Sequence, residues 1–181
     1  NPFASLKPDF RSLFFNANVG GKINKRSSFN FDMDHRGIDE FALINATTLD
    51  TSLVKQRLQI TSPTPQSRWT VSPRYDLALN DKNTLVARYQ FSRTADENNG
   101  IGQFSLPSLA YNTFDTDHTL QLTETAILNA TTINESRFQF LRSDTRQLGD
   151  ITIPSITVLD AFTGGGAQVG DARTLRNSIE W

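Results

Sequence analysis

The chain has 181 residues with 18 lysines and arginines against 19 aspartates and glutamates, a balance that lacks the basic footprint of a nucleic-acid binder. Cysteine is absent, which removes disulfide scaffolds, cysteine nucleophiles and thiolate metal sites together. No apolar run approaches the roughly 18 residues of a spanning helix, which excludes helical membrane proteins but not a transmembrane barrel, whose polar lumen-facing residues alternate with lipid-facing ones.

Period-two alternation organises the chain. The first predicted hairpin occupies residues 12–36. Phe15, Ala17 and Val19 lead through Gly20-Gly21 and Asn24-Lys25 into a strand with Phe29, Phe31 and Met33 on one face and Asn30, Asp32 and Asp34 on the other. Residues 37–67 carry no clear alternation; residues 50–58 are helix-compatible, and the segment reads as a loop with one turn of helix. The second hairpin, residues 68–95, has the cleanest pattern. Trp69, Val71, Pro73, Tyr75, Leu77 and Leu79 alternate with Arg68, Thr70, Ser72, Arg74, Asp76 and Ala78; after the turn at residues 80–83, Leu85, Ala87, Tyr89 and Phe91 alternate with Thr84, Val86, Arg88, Gln90 and Ser92. The third hairpin, residues 117–145, runs from Leu120, Leu122, Ala126 and Leu128 through a turn at 129–132 to Phe138 and Phe140. Glu124 stands on its apolar side, which a bulge or a sheet-rim position explains. Residues 174–181 start a further strand.

The fold expected is all-β: antiparallel up-and-down hairpins with about seven long strands, a partial transmembrane β-barrel. The strands approach the roughly 9 to 11 residues that a tilted strand needs to cross a bilayer, against about 5 or 6 in soluble sheets. Tight turns alternate with long connections at 37–67, 96–115 and 149–173, the asymmetry of bacterial barrels, in which the long loops face outward. Trp69 and Tyr89 lie on apolar faces, where aromatic girdles occur. Single-chain bacterial barrels normally close with an even number of strands, so these seven are not expected to close alone. The abrupt start at Asn1 and the strand stopping at Trp181 lead to the same expectation, a segment of a longer barrel. The alternative is a soluble β-sandwich, a binding or adhesion module whose apolar faces pack on each other.

Three stretches carry a family resemblance. Asn1-Pro2-Phe3, Lys7-Pro8-Asp9-Phe10-Arg11 and Asn18-Val19-Gly20-Gly21-Lys22-Ile23-Asn24-Lys25 form the first; residues 98–107, from Asn98-Asn99-Gly100, form the second. The third comprises residues 118–125, from His118-Thr119-Leu120, and Asn134-Glu135-Ser136-Arg137-Phe138. In this order they resemble the early barrel of large Oar-like TonB-dependent transporters, although the family commonly has proline where Lys22 stands. The resemblance implies a roughly 22-stranded barrel in the outer membrane of a Gram-negative bacterium, with carboxypeptidase-regulatory-like and plug domains upstream. It further implies energy-coupled uptake of an unidentified bulky solute. The implied partners are outer-membrane lipid, the rest of the barrel and plug of the parent chain, and TonB through that chain.

No catalytic residue and no cofactor is assigned, and no enzyme is expected, because no nucleophile, base and orienting group can be assembled. Asp32-Met33-Asp34-His35 and Asp115-Thr116-Asp117-His118 hold both histidines of the chain. Carboxylate and imidazole suit several divalent ions, but alternation sends Asp32 and Asp34 to the polar face, so these clusters read as solvated lumen residues and no metal site is assigned. Gly164-Gly165-Gly166-Ala167-Gln168-Val169-Gly170 lacks the lysine and hydroxyl residue of a phosphate loop and reads as flexible outer loop. Ligand-binding residues are left unassigned.

Overall fold

The computed structural model describes residues 9–181. Asn1-Pro2-Phe3 and Lys7-Pro8 of the resemblance lie outside the described residues. The main sheet contains β1 (Arg11–Asn24), β2 (Ser27–Asp39), β5 (Gln66–Ala78), β6 (Asn83–Asn99), β7 (Tyr111–Asn129), β8 (Thr132–Gly149) and β11 (Ala172–Glu180). These seven strands lie in sequence order with antiparallel pairing throughout. The sheet is open, with β1 and β11 at its two edges.

Asparagine builds each tight turn between these strands. Asn24 Oδ1 accepts the Arg26 amide at 2.8 Å, Asn80 Oδ1 accepts those of Lys82 and Asn83 at 2.9 and 3.0 Å, and Asn129 Oδ1 accepts that of Thr131 at 3.0 Å. A side-chain carbonyl here substitutes for the backbone acceptor of the turn. The unbroken alternation on either side then fixes which residues share a face.

Opposed residues of paired strands lie on one face. The register places Gly21, Phe29, Tyr75, Ala87, Leu122 and Phe138 in one row across the sheet, and Gly20, Asn30, Arg74, Arg88, Gln121, Gln139 and Glu180 in a row on the other side. One face is apolar and the other polar. Among the described residues no second sheet covers the apolar one: the remaining sheets are two hairpins, β3 (Phe41–Leu49) with β4 (Lys55–Pro63) and β9 (Ser155–Val158) with β10 (Phe162–Gly165). Val19 is 56% exposed and Tyr75 38%. This corrects the sandwich expectation, which requires two sheets with a dry core between them. No helix among the described residues is long and apolar enough to cross a membrane, which says nothing of crossing by strands.

The buried apolar residues among those described are Ile44, Ala46, Leu109 and Ala167, all in the long connections. Residues 37–67, read as loop with a helical turn, form instead the β3–β4 hairpin. Asp50 explains the difference: its carboxylate accepts the amides of Ser52 and Val54 at 2.8 and 2.9 Å and makes a hairpin turn of the helix-compatible stretch. Residues 149–173, also read as loop, contain β9 and β10. Gly164 and Gly165 end β10 and Ala167 is buried, so the glycine run is built into structure and is not the free loop expected of it.

The long connections join one another through backbone hydrogen bonds. Asn45 N donates to Gln103 O and Gln103 N to Leu43 O, both at 2.7 Å; Leu106 N donates to Thr163 O and Thr163 N to Phe104 O, both at 2.9 Å. A cap results, in which β3, residues 103–106 and β10 lie side by side, with Leu109 of a short 3₁₀ turn (Pro107–Leu109) among its buried residues. The long strands themselves exceed the expected spans, reaching 19 residues in β7 and 18 in β8. Backbone pairing continues past the apolar stretches, and alternation of hydrophobicity marks only the stretches.

Candidate functional site

The polar face carries a connected set of hydrogen-bonding side chains. At its centre lies Pro73, among the described residues the one proline inside a main-sheet strand flanked on both sides. Proline has no amide hydrogen to donate. Accordingly the β5–β6 pairing passes from Val71↔Phe91 to Arg74↔Arg88 with Ser72 and Pro73 unpaired, whereas Phe31↔Pro73 is kept on the β2 side. A shallow groove crosses the face at this gap, lined by Asn30, Asp32, Ser72, Arg74, Arg88 and Gln121 among others.

Most of these groups are oriented by neighbours. Asp32 accepts hydrogen bonds from Asn18 and from Asn30 Nδ2, the latter at 2.5 Å. Arg74 forks onto Asp76 two residues along the same strand, with Nη2 donating at 2.6 Å and Nε at 2.9 Å. That carboxylate offsets the like charge of Arg88, which stands directly opposite Arg74. Gln121 Nε2 donates to Gln139 Oε1 at 2.5 Å. The result is a lawn of amides, carboxylates and guanidinium groups on rigid strands. It can hydrogen-bond a polar surface passing over it.

The two histidine clusters are split by the sheet. Asp32 and Asp34 lie on the polar face, while His35 is on the other, its ring stacked on Trp69 with centroids 4.1 Å apart and its Nδ1 3.1 Å from the Arg68 carbonyl oxygen. Asp115 accepts Thr145 Oγ1 at 2.5 Å on the polar face, whereas His118 meets the Tyr89 hydroxyl at 2.6 Å and the Phe91 ring on the apolar one. Among the described residues no three of His, Asp and Glu converge as metal ligands would. Glu124 stands in regular register opposite Leu85 and Ser136 near the tight-turn end of β7, and the register irregularity of β7 falls between Ile127 and Asn129, so of the two explanations the rim position applies. Trp69 and Tyr89 occupy the apolar face, as the alternation requires. Sequence reasoning placed Arg74, Arg88 and Gln90 on the polar side but missed the groove; Pro73 within a strand is the signal that points to it.

Outside the strands, Asp150 caps the start of the last long connection. Its Oδ1 accepts the Thr152 hydroxyl at 2.6 Å and amide at 2.9 Å, and these bonds hold its carboxyl below the usual range.

Comparison with known proteins gives one family match. The model described as "Outer membrane beta barrel domain" matches residues 36–175. No curated protein and no solved structure matches the chain.

Proposed function

The chain belongs to the outer-membrane β-barrel domain family, and on that premise we propose that it is the wall of a TonB-dependent transporter of the Oar-like type, which takes up a bulky solute. The observation that carries the wall assignment is the contrast between the two faces of a single seven-stranded sheet: the apolar face is uncovered while the buried apolar residues sit in the connections at one end. Such a face is stable only against lipid or another apolar surface. The polar groove then lines the lumen, where plug and solute pass, and the cap of long connections stands outside the cell, as in bacterial barrels. The chain supplies shape and hydrogen bonds and no chemical catalysis. Transport, TonB engagement and a Gram-negative source are supported by the order of segments that resembles those transporters.

Two experiments test this reading. Spin-label quenching in reconstituted full-length protein is expected to show labels at Tyr75, Leu77 and Tyr89 in the hydrocarbon, and labels at Arg74 and Arg88 shielded from it. The reverse pattern would sink the wall assignment. For the coupling, the full-length protein is expected to cross-link to the periplasmic domain of TonB from the same cell, and absence of any cross-link would leave a barrel without TonB dependence.

A further inference from the structure

The apolar face changes character along β6, β7, β8 and β11. Toward the tight turns it carries Phe138 and Phe140 on β8, Leu120 and Leu122 on β7 and Tyr89 on β6. Toward the long connections the same face carries Arg142, Asp144 and Arg146 on β8, Arg173 on β11 and Arg93 on β6. The register brings them together: Arg146 is opposite Arg173, and Asp144 and Arg93 are each opposite Thr116 or share its row. Four guanidinium groups therefore face outward around one carboxylate.

That carboxylate is committed. Arg173 forks onto Asp144, Nε at 2.8 Å and Nη2 at 2.6 Å, and Arg142 and Arg146 act on the same group electrostatically. Among the described residues, Arg93, Arg142 and Arg146 make no side-chain hydrogen bond and no ion pair, and all three are exposed. The cluster is also local. On the same face, the rows of Asp144 and Arg146 carry Phe15 and Leu13 on β1 and Trp69 on β5, at the far end of the sheet.

We propose that Arg93, Arg142, Arg146 and Arg173 form a docking patch for phosphate-bearing lipid headgroups in the leaflet next to the long connections. A guanidinium fork matches two phosphate oxygens, and Phe138 and Phe140 directly below offer the apolar surface on which an acyl chain lies. Asp144 fixes Arg173 in position, while the surplus positive charge is left for the anion. The patch rests on the assignment of this face to lipid made above.

Native mass spectrometry of the full-length protein in neutral detergent, with cardiolipin added as the phosphate-bearing probe and phosphatidylcholine as the reference, tests the patch. The intact protein is expected to retain cardiolipin over phosphatidylcholine, and Arg142→Gln/Arg146→Gln to reduce that retention by at least about tenfold, given the usual contribution of each arginine at an anionic surface. Arg68→Gln/Arg176→Gln, on the opposite face, is expected to retain it fully. Asp144→Asn removes the competing carboxylate and is expected to strengthen retention, an increase that a misfolded variant does not produce. Equal retention by the Arg142/Arg146 variant, loss in the opposite-face variant, or displacement of the lipid by millimolar inorganic phosphate alone would each overturn the patch. Failure here with labels at Tyr75 and Tyr89 still quenched by lipid overturns the patch and leaves the wall reading; unquenched labels overturn both.

Discussion

Val71 and Ser72 are neighbours in β5 whose surroundings share nothing: Val71 is opposite Met33 and Phe91, and Ser72 is opposite Asp32. If the first face meets hydrocarbon, a charge there is costly near the bilayer midplane, by about 2–4 kcal/mol for arginine, whereas a charge on the polar face is solvated. Val71→Arg is expected to lower the unfolding free energy of protein folded in phosphatidylcholine vesicles by that amount, and Ser72→Arg by less than about 1 kcal/mol. Guanidinium titration followed by tryptophan fluorescence measures both. Equal losses would mean that the faces have been exchanged or that neither meets lipid. The ion pairs contribute little by comparison: Arg74 and Asp76 keep 40% and 32% of their side-chain surface exposed, and pairs of that exposure are worth about 0–1 kcal/mol.

Among the elements, the β3–β4 hairpin stands apart because it holds packed interior that the main sheet lacks. Ile44 is fully buried, and the residue after it donates its amide to Gln103 O across the cap. Removing a buried isoleucine side chain costs about 2–5 kcal/mol, depending on how far the site collapses. Ile44→Ala is expected to open the cap without opening the wall. Amide hydrogen exchange is the measurement: protection at Asn45 and Gln103 falls, while protection at the β5–β6 and β6–β7 ladder amides is unchanged. Simultaneous loss in both regions would show that cap and wall form a single cooperative unit. Close backbone approach also matters here, since a Cβ on Gly149 would overlap the Val169 carbonyl oxygen where the last connection folds back.

For the molecule as a whole, the open sheet decides behaviour outside a membrane. It presents two unpaired edges, β1 and β11, and an uncovered face with Phe15 48% exposed and Ile179 65% exposed. Unpaired edges and large apolar patches both drive association. Residues 1–181 produced without detergent or lipid are expected to aggregate, and to stay dispersed with strand-rich circular dichroism when refolded into detergent. A monomer melting cooperatively in plain buffer would show that the apolar face finds a partner within the chain.

The seven-strand sheet was legible because its signals are local. Alternation in residues 68–79 and 84–92 follows from strand geometry, and Asn24, Asn80 and Asn129 mark turns they build with their own side chains. By itself the sequence thus determined the number of strands in the main sheet, the pairing of hairpin neighbours and the two faces. The cap was not legible, because its strands β3, β4, β9 and β10 are fixed by contacts between connections distant in the chain, such as Leu43 with Gln103 and Phe104 with Thr163. Short strands packed into a cap lack the single apolar face that makes the main-sheet strands alternate. The tertiary structure alone decided that the long connections form one body, that a groove crosses the polar face at the Pro73 pairing gap, and that arginines from β6, β8 and β11 lie on one patch. Each depends on cross-strand register, which brings together residues far apart in sequence.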